Sequence, residues 1–277
     1  MQQLLLTEPE SIEREAYGHL FTGAGSPDLR RRLALSAEPC GSALVLRSRV
    51  LDHVLFNRAF GLERSAPDGD ALADSVVARY RAQHIARYVV QVTAGTEPCV
   101  TCERLHALGL RREPRRWHKL ARGPGVVKAE SDALHVERTE AADTNAIAGL
   151  LVNGFELPDA AVPLFAHAAQ NSRWHAYVAR GVEDEPYATL LMYAHAERAH
   201  LTLAGTDRRQ RRRGAQRALI ARAVRDALDL GCREISAEAP EAAPAYANAS
   251  HHNLVHAGFE VVEVRDTWAP TVGPSFG

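Results

Sequence analysis

Between residues 201 and 237 the chain reads LTLAGTDRRQRRRGAQRALIARAVRDALDLGCREISA. LTLAG (201–205) predicts a strand. From Gly214 to Leu230, Leu219, Ile220, Val224, Ala227 and Leu228 share one face of a helix, with Arg222, Arg225, Asp226 and Asp229 on the other. Gly231 ends that helix, and Arg233–Ala237 predicts the next strand. Five of the six residues 208–213 are arginine, pinned between a strand and a helix. A basic arm for nucleic acid more often sits at a terminus, in low-complexity sequence. A turn that feeds a helix presents unpaired backbone N–H groups and the positive end of the helix dipole, which together attract a phosphate or pyrophosphate. Gly214 permits close backbone approach.

Composition sets the frame for that turn. With 277 residues and 46% apolar content, the chain can build one or two domains. A net charge of −1 argues against a general nucleic-acid binder. Basic charge is nearly all arginine, with Lys119 and Lys128 the only lysines, so an arginine cluster is less unusual here than in most chains. Of the four cysteines, only Cys99 and Cys102 are close, and no second ligand pair accompanies them. They read as small residues opening a helix rather than as a zinc or redox site. No signal peptide opens the sequence, and no run reaches the roughly 18 apolar residues of a membrane span. The expectation is a soluble cytoplasmic protein without metal, nucleic-acid or membrane partners.

Residues 1–40 predict a helical lead-in, followed by strands at 41–52 and 57–62, a helix at 70–84, a strand at 88–92, a helix at 99–108 and a strand at 111–120. ARGPGVVKAESDA (121–133) is the best linker, which divides the chain into domains at 1–125 and 130–270. The second half predicts the order β-α-α-β-β-β-α-β-α-β: a mixed α/β (α+β) fold. LHALGLRREPRRW (105–117) rhymes with LVHAGFEVVEVRDTW (254–268), leaving open chance or an old duplication.

Arg211-x-x-Gly214-x-Gln216 resembles the cofactor turn of the GNAT superfamily of acyl-CoA-dependent N-acetyltransferases, and the element order matches over 134–268. GAQRALI (214–220), Gly231-Cys232, Glu238, Asn248-x-Ser250, Asn253-Leu254, Ala257-Gly258-Phe259, Arg265 and Trp268 resemble, in order, the motifs of one bacterial branch. The resemblance implies a GNAT fold in the C-terminal half, preceded by a degenerate GNAT-like domain. It further implies acetyl-CoA as co-substrate. Its pyrophosphate would be held by the backbone of Arg211, Arg212, Arg213, Gly214, Ala215 and Gln216, and its pantetheine arm by Ala204, Gly205 and Thr206; Asn248 and Asn253 sit where the family touches the cofactor. The chain departs from the pattern at Arg208, Arg212 and Gln216.

Acetyl transfer to an amine needs a base for the ammonium and an acid for the departing thiolate. The position that the family gives to a tyrosine acid holds Leu254. Glu238 is the expected general base and His251 the candidate acid; His252 points elsewhere, because neighbours on a helix diverge. Tyr246, Tyr193 and His195 read as ordinary packing, as do Trp174 and Trp268. The leading expectation is direct transfer from acetyl-CoA to a primary amine of a small molecule. The alternatives are a non-catalytic acyl-CoA-binding pseudoenzyme and a nucleic-acid binder. The N-terminal half is expected to cover the acceptor cleft or to form a homodimer contact.

Overall fold

A computed structural model describes residues 9–64, 68–95, 98–125, 134–139, 143–181, 184–242 and 248–271. The chain divides into two compact units. One comprises residues 119–262 with the first 16 residues; the other comprises 17–118 with the C-terminal residues from 263.

The larger unit carries strands β6 (Trp117–Arg122), β7 (His135–Arg138), β8 (Trp174–Arg180), β9 (Pro186–His195), β10 (Arg198–Thr206) and β11 (Glu234–Pro240). Its helices are α5 (Thr144–Phe155), α6 (Val162–Gln170), α7 (Ala215–Asp229) and α8 (Ala249–His256), joined by part of α1 (Pro9–Thr22). The strand order is β6-β11-β10-β9-β8-β7. β8, β9 and β10 run antiparallel, whereas β10 and β11 are parallel. Parallel neighbours need a crossover, and α7 supplies it. Its apolar stripe (Leu219, Ile220, Ala223, Val224, Ala227) packs on Leu201, Ile235 and Ala237, all within 3% of complete burial. The predicted element order of this half is the observed one. The fold is thus mixed α/β.

The smaller unit repeats the scheme. Helix α2 (Pro27–Arg32) leads into β1 (Leu35–Cys40), β2 (Ala43–Ser48) and β3 (Arg58–Leu62), which pair antiparallel. Helix α3 (Gly69–Arg81) then crosses to β4 (Val89–Thr93), parallel to β3. α4 (Val100–Ala107) and β5 (Leu110–Arg112) follow; β12 (Glu260–Pro270) pairs β4 and β5. Tyr80 and Tyr88 stack, and Trp268 joins the core around them. Both Trp174 and Trp268 are buried, as expected.

Four expectations needed correction. The lead-in at 1–40 contains strand β1, which LSAEPC hides because Pro39 and Glu38 break the apolar alternation; β1 lies at the end of the strand order, where proline is tolerated. The strand expected at 111–120 is two strands, split around Pro114. Cys99 and Cys102 are joined by a disulfide, not merely small residues at a helix start. The helix expected from Tyr246 begins at Ala249; residues 243–247, Tyr246 among them, and 126–133 of the linker lie outside the described residues.

In the larger unit Lys119 of β6 and Glu13 of α1 form an ion pair at 2.6 Å with both side chains fully buried. Such a pair costs desolvation on both sides, and its value lies in neither charge being left alone. Lys119→Met is expected to destabilise the fold by about 3–5 kcal/mol. Adding Glu13→Leu is expected to recover most of that loss, both read from urea unfolding.

Candidate active site

The crossover fixes where the arginine turn lies. β10 ends at Thr206, and α7 begins at Ala215. Between them Asp207 accepts the Arg209 N–H at 2.8 Å and opens a single 3-10 turn at 208–210. Arg212 then takes φ +66° and Gly214 takes φ +85°. The first is a conformation that arginine adopts at a cost of about 1 kcal/mol and glycine at almost none. This is where the chain departs from the family's usual glycine. Gly214 needs its conformation rather than room: among the described residues, a Cβ there would meet only the Leu134 side chain, at 3.5 Å.

Gly214 is the N-cap of α7 and offers no side-chain cap. The first-turn N–H groups have no intrahelical partners, so the helix end presents donors and partial positive charge beside exposed Arg211, Arg212 and Arg213. Arg208 is held by an ion pair to Glu156 at the end of α5. Burial raises the Tyr187 phenol pKa, while the charge of Arg213 lowers it. Tyr187 also accepts the Asp207 N–H through its carbonyl, at 2.8 Å. Tyr187 was not among the sequence candidates. Only the β9–β10 register, with Ala188 opposite Thr206, brings it to the turn.

The second element of the site is a parting of strands. The β10–β11 register runs from Arg198 opposite Glu234 to Leu201 opposite Ala237. β10 then bulges between Thr202 and Gly205, with Leu203 at φ +53°, and resumes pairing with β9. A bulge bends its strand and strengthens the local twist. Ala204, Gly205 and Thr206 therefore lie beyond the last row shared with β11. Glu238, half-buried, is the first residue of β11 past that row. Glycines set how closely α5 covers this point: a Cβ on Gly154 would lie 3.4 Å from the Gly205 Cα, and one on Gly205 would lie 3.3 Å from the Leu150 carbonyl oxygen.

Helix α8 flanks β11 and is tied to it by Asn248. The buried Asn248 carboxamide oxygen accepts the Ser250 N–H (3.0 Å) and the His251 N–H (3.4 Å), and its amide donates to the Pro240 carbonyl. Asn253 donates to the Gln216 side-chain amide oxygen, and the Gln216 side-chain amide donates to the Ser250 hydroxyl, each at 2.8 Å. Gln216, the departure in the last motif position, thus fastens α7 to α8. The side chains of Asn248 and Asn253 make these bonds within the protein.

His251 is half-buried, and its ring stands edge-on to that of exposed His252. Burial and, second, the His252 charge lower its pKa; Glu241 acts in the opposite sense. Leu254 is buried in the core between α7 and α8. Tyr193 and His195 are engaged elsewhere: the Tyr193 hydroxyl donates to Glu15 at 3.0 Å and accepts from Arg173 at 3.2 Å, and His195 contacts the same glutamate. Among the described residues, no group of three histidine, cysteine, aspartate or glutamate side chains is arranged to hold a metal ion, and no helix is long and apolar enough to cross a membrane.

Two outcomes follow from α8. Asn248→Ala is expected to lower stability by about 1–2 kcal/mol through the lost cap and the unpaired Pro240 carbonyl, measured by urea unfolding. His251 is expected to titrate below the ordinary imidazole value of about 6.5, followed by proton NMR with His251→Asn for assignment. Because the fold resists charging this ring, its contribution falls as pH drops through the ordinary imidazole range, and the variant flattens that slope.

Comparison with known proteins shows what this geometry resembles. Residues 154–240 match the model of the acetyltransferase (GNAT) domain. That span runs from Gly154 through the bulge and the arginine turn to the end of β11. No curated protein sequence matches the chain. Among solved structures, a GCN5-related N-acetyltransferase from Kribbella flavida aligns with a TM-score of 0.64 at 15% identity, covering 96% of both chains. One from Sphaerobacter thermophilus aligns at 0.62 and 14% identity, covering 98% of this chain and 94% of that one. A tandem GNAT protein from the clavulanic acid biosynthesis pathway aligns at 0.55 and 14% identity, covering 96% of each. At these identities the alignments establish the fold. The family-model match adds that residues 154–240 are similar to the GNAT acetyltransferase domain.

Proposed function

We propose that this acyltransferase moves an acetyl group from acetyl-CoA to a primary amine of a small molecule, directly, in a ternary complex. The observation that supports this reading most is the pairing of two features at one end of the sheet: an uncapped α7 N-terminus among arginines, and Glu238 just past the last shared row of β10 and β11.

In this reading the backbone N–H groups of 211–216 hold the pyrophosphate oxygens, and the arginines raise the local concentration of the anion. Backbone groups of Ala204–Thr206, beyond the last β11 row, pair with the amides of the pantetheine arm. Coenzyme A, when bound, supplies the acyl group as a thioester. Glu238 takes a proton from the incoming ammonium, directly or through water, which frees the nitrogen lone pair for attack. Holding both reactants in one opening supplies much of the remaining acceleration. His251, whose pKa is lowered by burial, meets the departing thiolate as an N–H donor.

The smaller unit lacks the features needed for the same task. Its equivalent helix α3 starts with Asp68 at the N-cap and Asp70 in the first turn. Two carboxylates at that end repel an anion where α7 attracts one. We therefore read the N-terminal half as a degenerate GNAT-like domain. A second reading is favoured by one observation: the position of the family's tyrosine acid is a buried core leucine, Leu254. On that reading the protein binds acyl-CoA without catalysing transfer. Cytoplasmic residence accords with both readings.

Calorimetric titration with acetyl-CoA and CoA decides the first step. Saturable binding is expected, weakened at least 100-fold in Gly214→Glu, whose fold is checked by circular dichroism. Against a panel of small amines, Glu238→Gln is expected to lower kcat/KM by 10²–10⁴-fold at unchanged acetyl-CoA affinity. Binding without turnover on any amine supports the second reading, and absence of binding overturns both.

A further inference from the structure

The smaller unit contains a reactive group that acyl transfer does not use. Cys99 is the N-cap of α4, and its sulfur accepts the Cys102 N–H at 3.0 Å; the two sulfurs are bonded. The pair lines a pocket of about 550 Å³ together with Arg64, Pro98, His106 and Trp268. The Arg64 guanidinium lies 3.9 Å from the Cys102 sulfur and also pairs with Asp266 at 3.6 Å. The turn is held firmly. The Thr101 hydroxyl, between the cysteines, donates to the Glu63 carbonyl at 2.8 Å, and any Cβ on Gly69 would come within 2.4 Å of that hydroxyl. Cys40 and Cys232 are free thiols; all four cysteines are buried, and Cys99 and Cys102 differ in lining the pocket.

This placement is poor for a structural staple. The entropic gain from a disulfide grows with the loop it closes, and a separation of three residues closes a very small one. The Cys99 sulfur also caps α4. The placement suits reactivity better: a helix N-terminus and a neighbouring arginine both stabilise thiolate. The pocket beside the bond gives a second molecule room. Cys99 stands 149 positions before Asn248, the cap of α8, and Cys102 the same distance before His251. The rhyming helices thus carry a sulfur pair in one half and an amide and imidazole in the other.

We propose that Cys99 and Cys102 form a reversible dithiol–disulfide site whose reaction partner is a low-molecular-weight thiol. A thiolate of that partner enters the pocket and attacks the Cys99 sulfur. The Cys99–Cys102 bond breaks, a mixed disulfide forms at Cys99, and Cys102 leaves as a thiolate beside Arg64. A second partner thiolate attacks the partner's sulfur in that mixed disulfide. Cys99 leaves as a thiolate, the partner is released as its symmetrical disulfide, and two thiols have supplied the two electrons. This inference is independent of the acceptor and of the acyl-transfer reading.

The test uses the full chain, folded, with reduced glutathione, followed by alkylation and mass spectrometry. Cys99 and Cys102 are expected to gain label while Cys40 and Cys232 do not. Cys102→Ser with oxidised glutathione is expected to gain one glutathione at Cys99. Arg64→Gln is expected to slow reduction about 5–10-fold, and Arg64→Lys to restore most of the rate. The proposal is overturned if the pair stays oxidised in the folded protein while an exposed control disulfide is reduced. It is equally overturned if all four cysteines react only together, when urea unfolds the chain, or if Cys102→Ser takes up no glutathione.

Discussion

Because β10 and β11 are parallel, the chain has to cross from the end of one to the start of the other, and a helix covering the sheet face is the economical way to do so. That single constraint puts the α7 N-terminus at the end of β10. The apolar stripe of α7 holds it there by burial against Leu201, Ile235 and Ala237. Each of these side chains contributes on the order of 1.5–3 kcal/mol when fully withdrawn from water. The arginine turn is thus held in place by a core that has no part in the chemistry.

The opening beside it has a different cause. β10 cannot follow both neighbours to its end: it bulges at 203–204, stays with β9, and leaves β11 after Ala237. Backbone groups that a longer shared register would have used are left to something else. Glu238 gains its position from the same event, one residue past the end of pairing. The Asn248 cap and the Gln216–Ser250–Asn253 chain of hydrogen bonds then fix α8 against β11 and α7.

The two units follow the same plan with different chemistry at corresponding points. α7 begins with glycine among arginines and α3 begins with Asp68. α8 is capped by Asn248 and α4 by Cys99, already bonded to Cys102. Helix starts are where backbone donors await partners, so a change of one capping residue alters what a unit can hold without disturbing the sheet behind it.

Much of this was legible in the sequence. The 3.6-residue spacing of 214–230 and the apolar strands around it gave the order of the second half, since each element buries a periodic stripe written in consecutive residues. Gly214 announced the turn because few other residues accept φ +85°. What escaped was non-local. β1 was hidden because an edge strand tolerates Pro39 and need not alternate. Tyr187 reaches the turn only through the β9 register. The Gln216–Asn253 link and the Lys119–Glu13 pair each depend on where side chains point after packing. By itself the sequence determined the elements of the second half, their order and the place of the arginine turn, because periodicity, glycine and charge act over a few residues. Only the tertiary structure decided where β10 parts from β11 and which polar side chains are already committed to one another, because those depend on contacts between residues far apart along the chain.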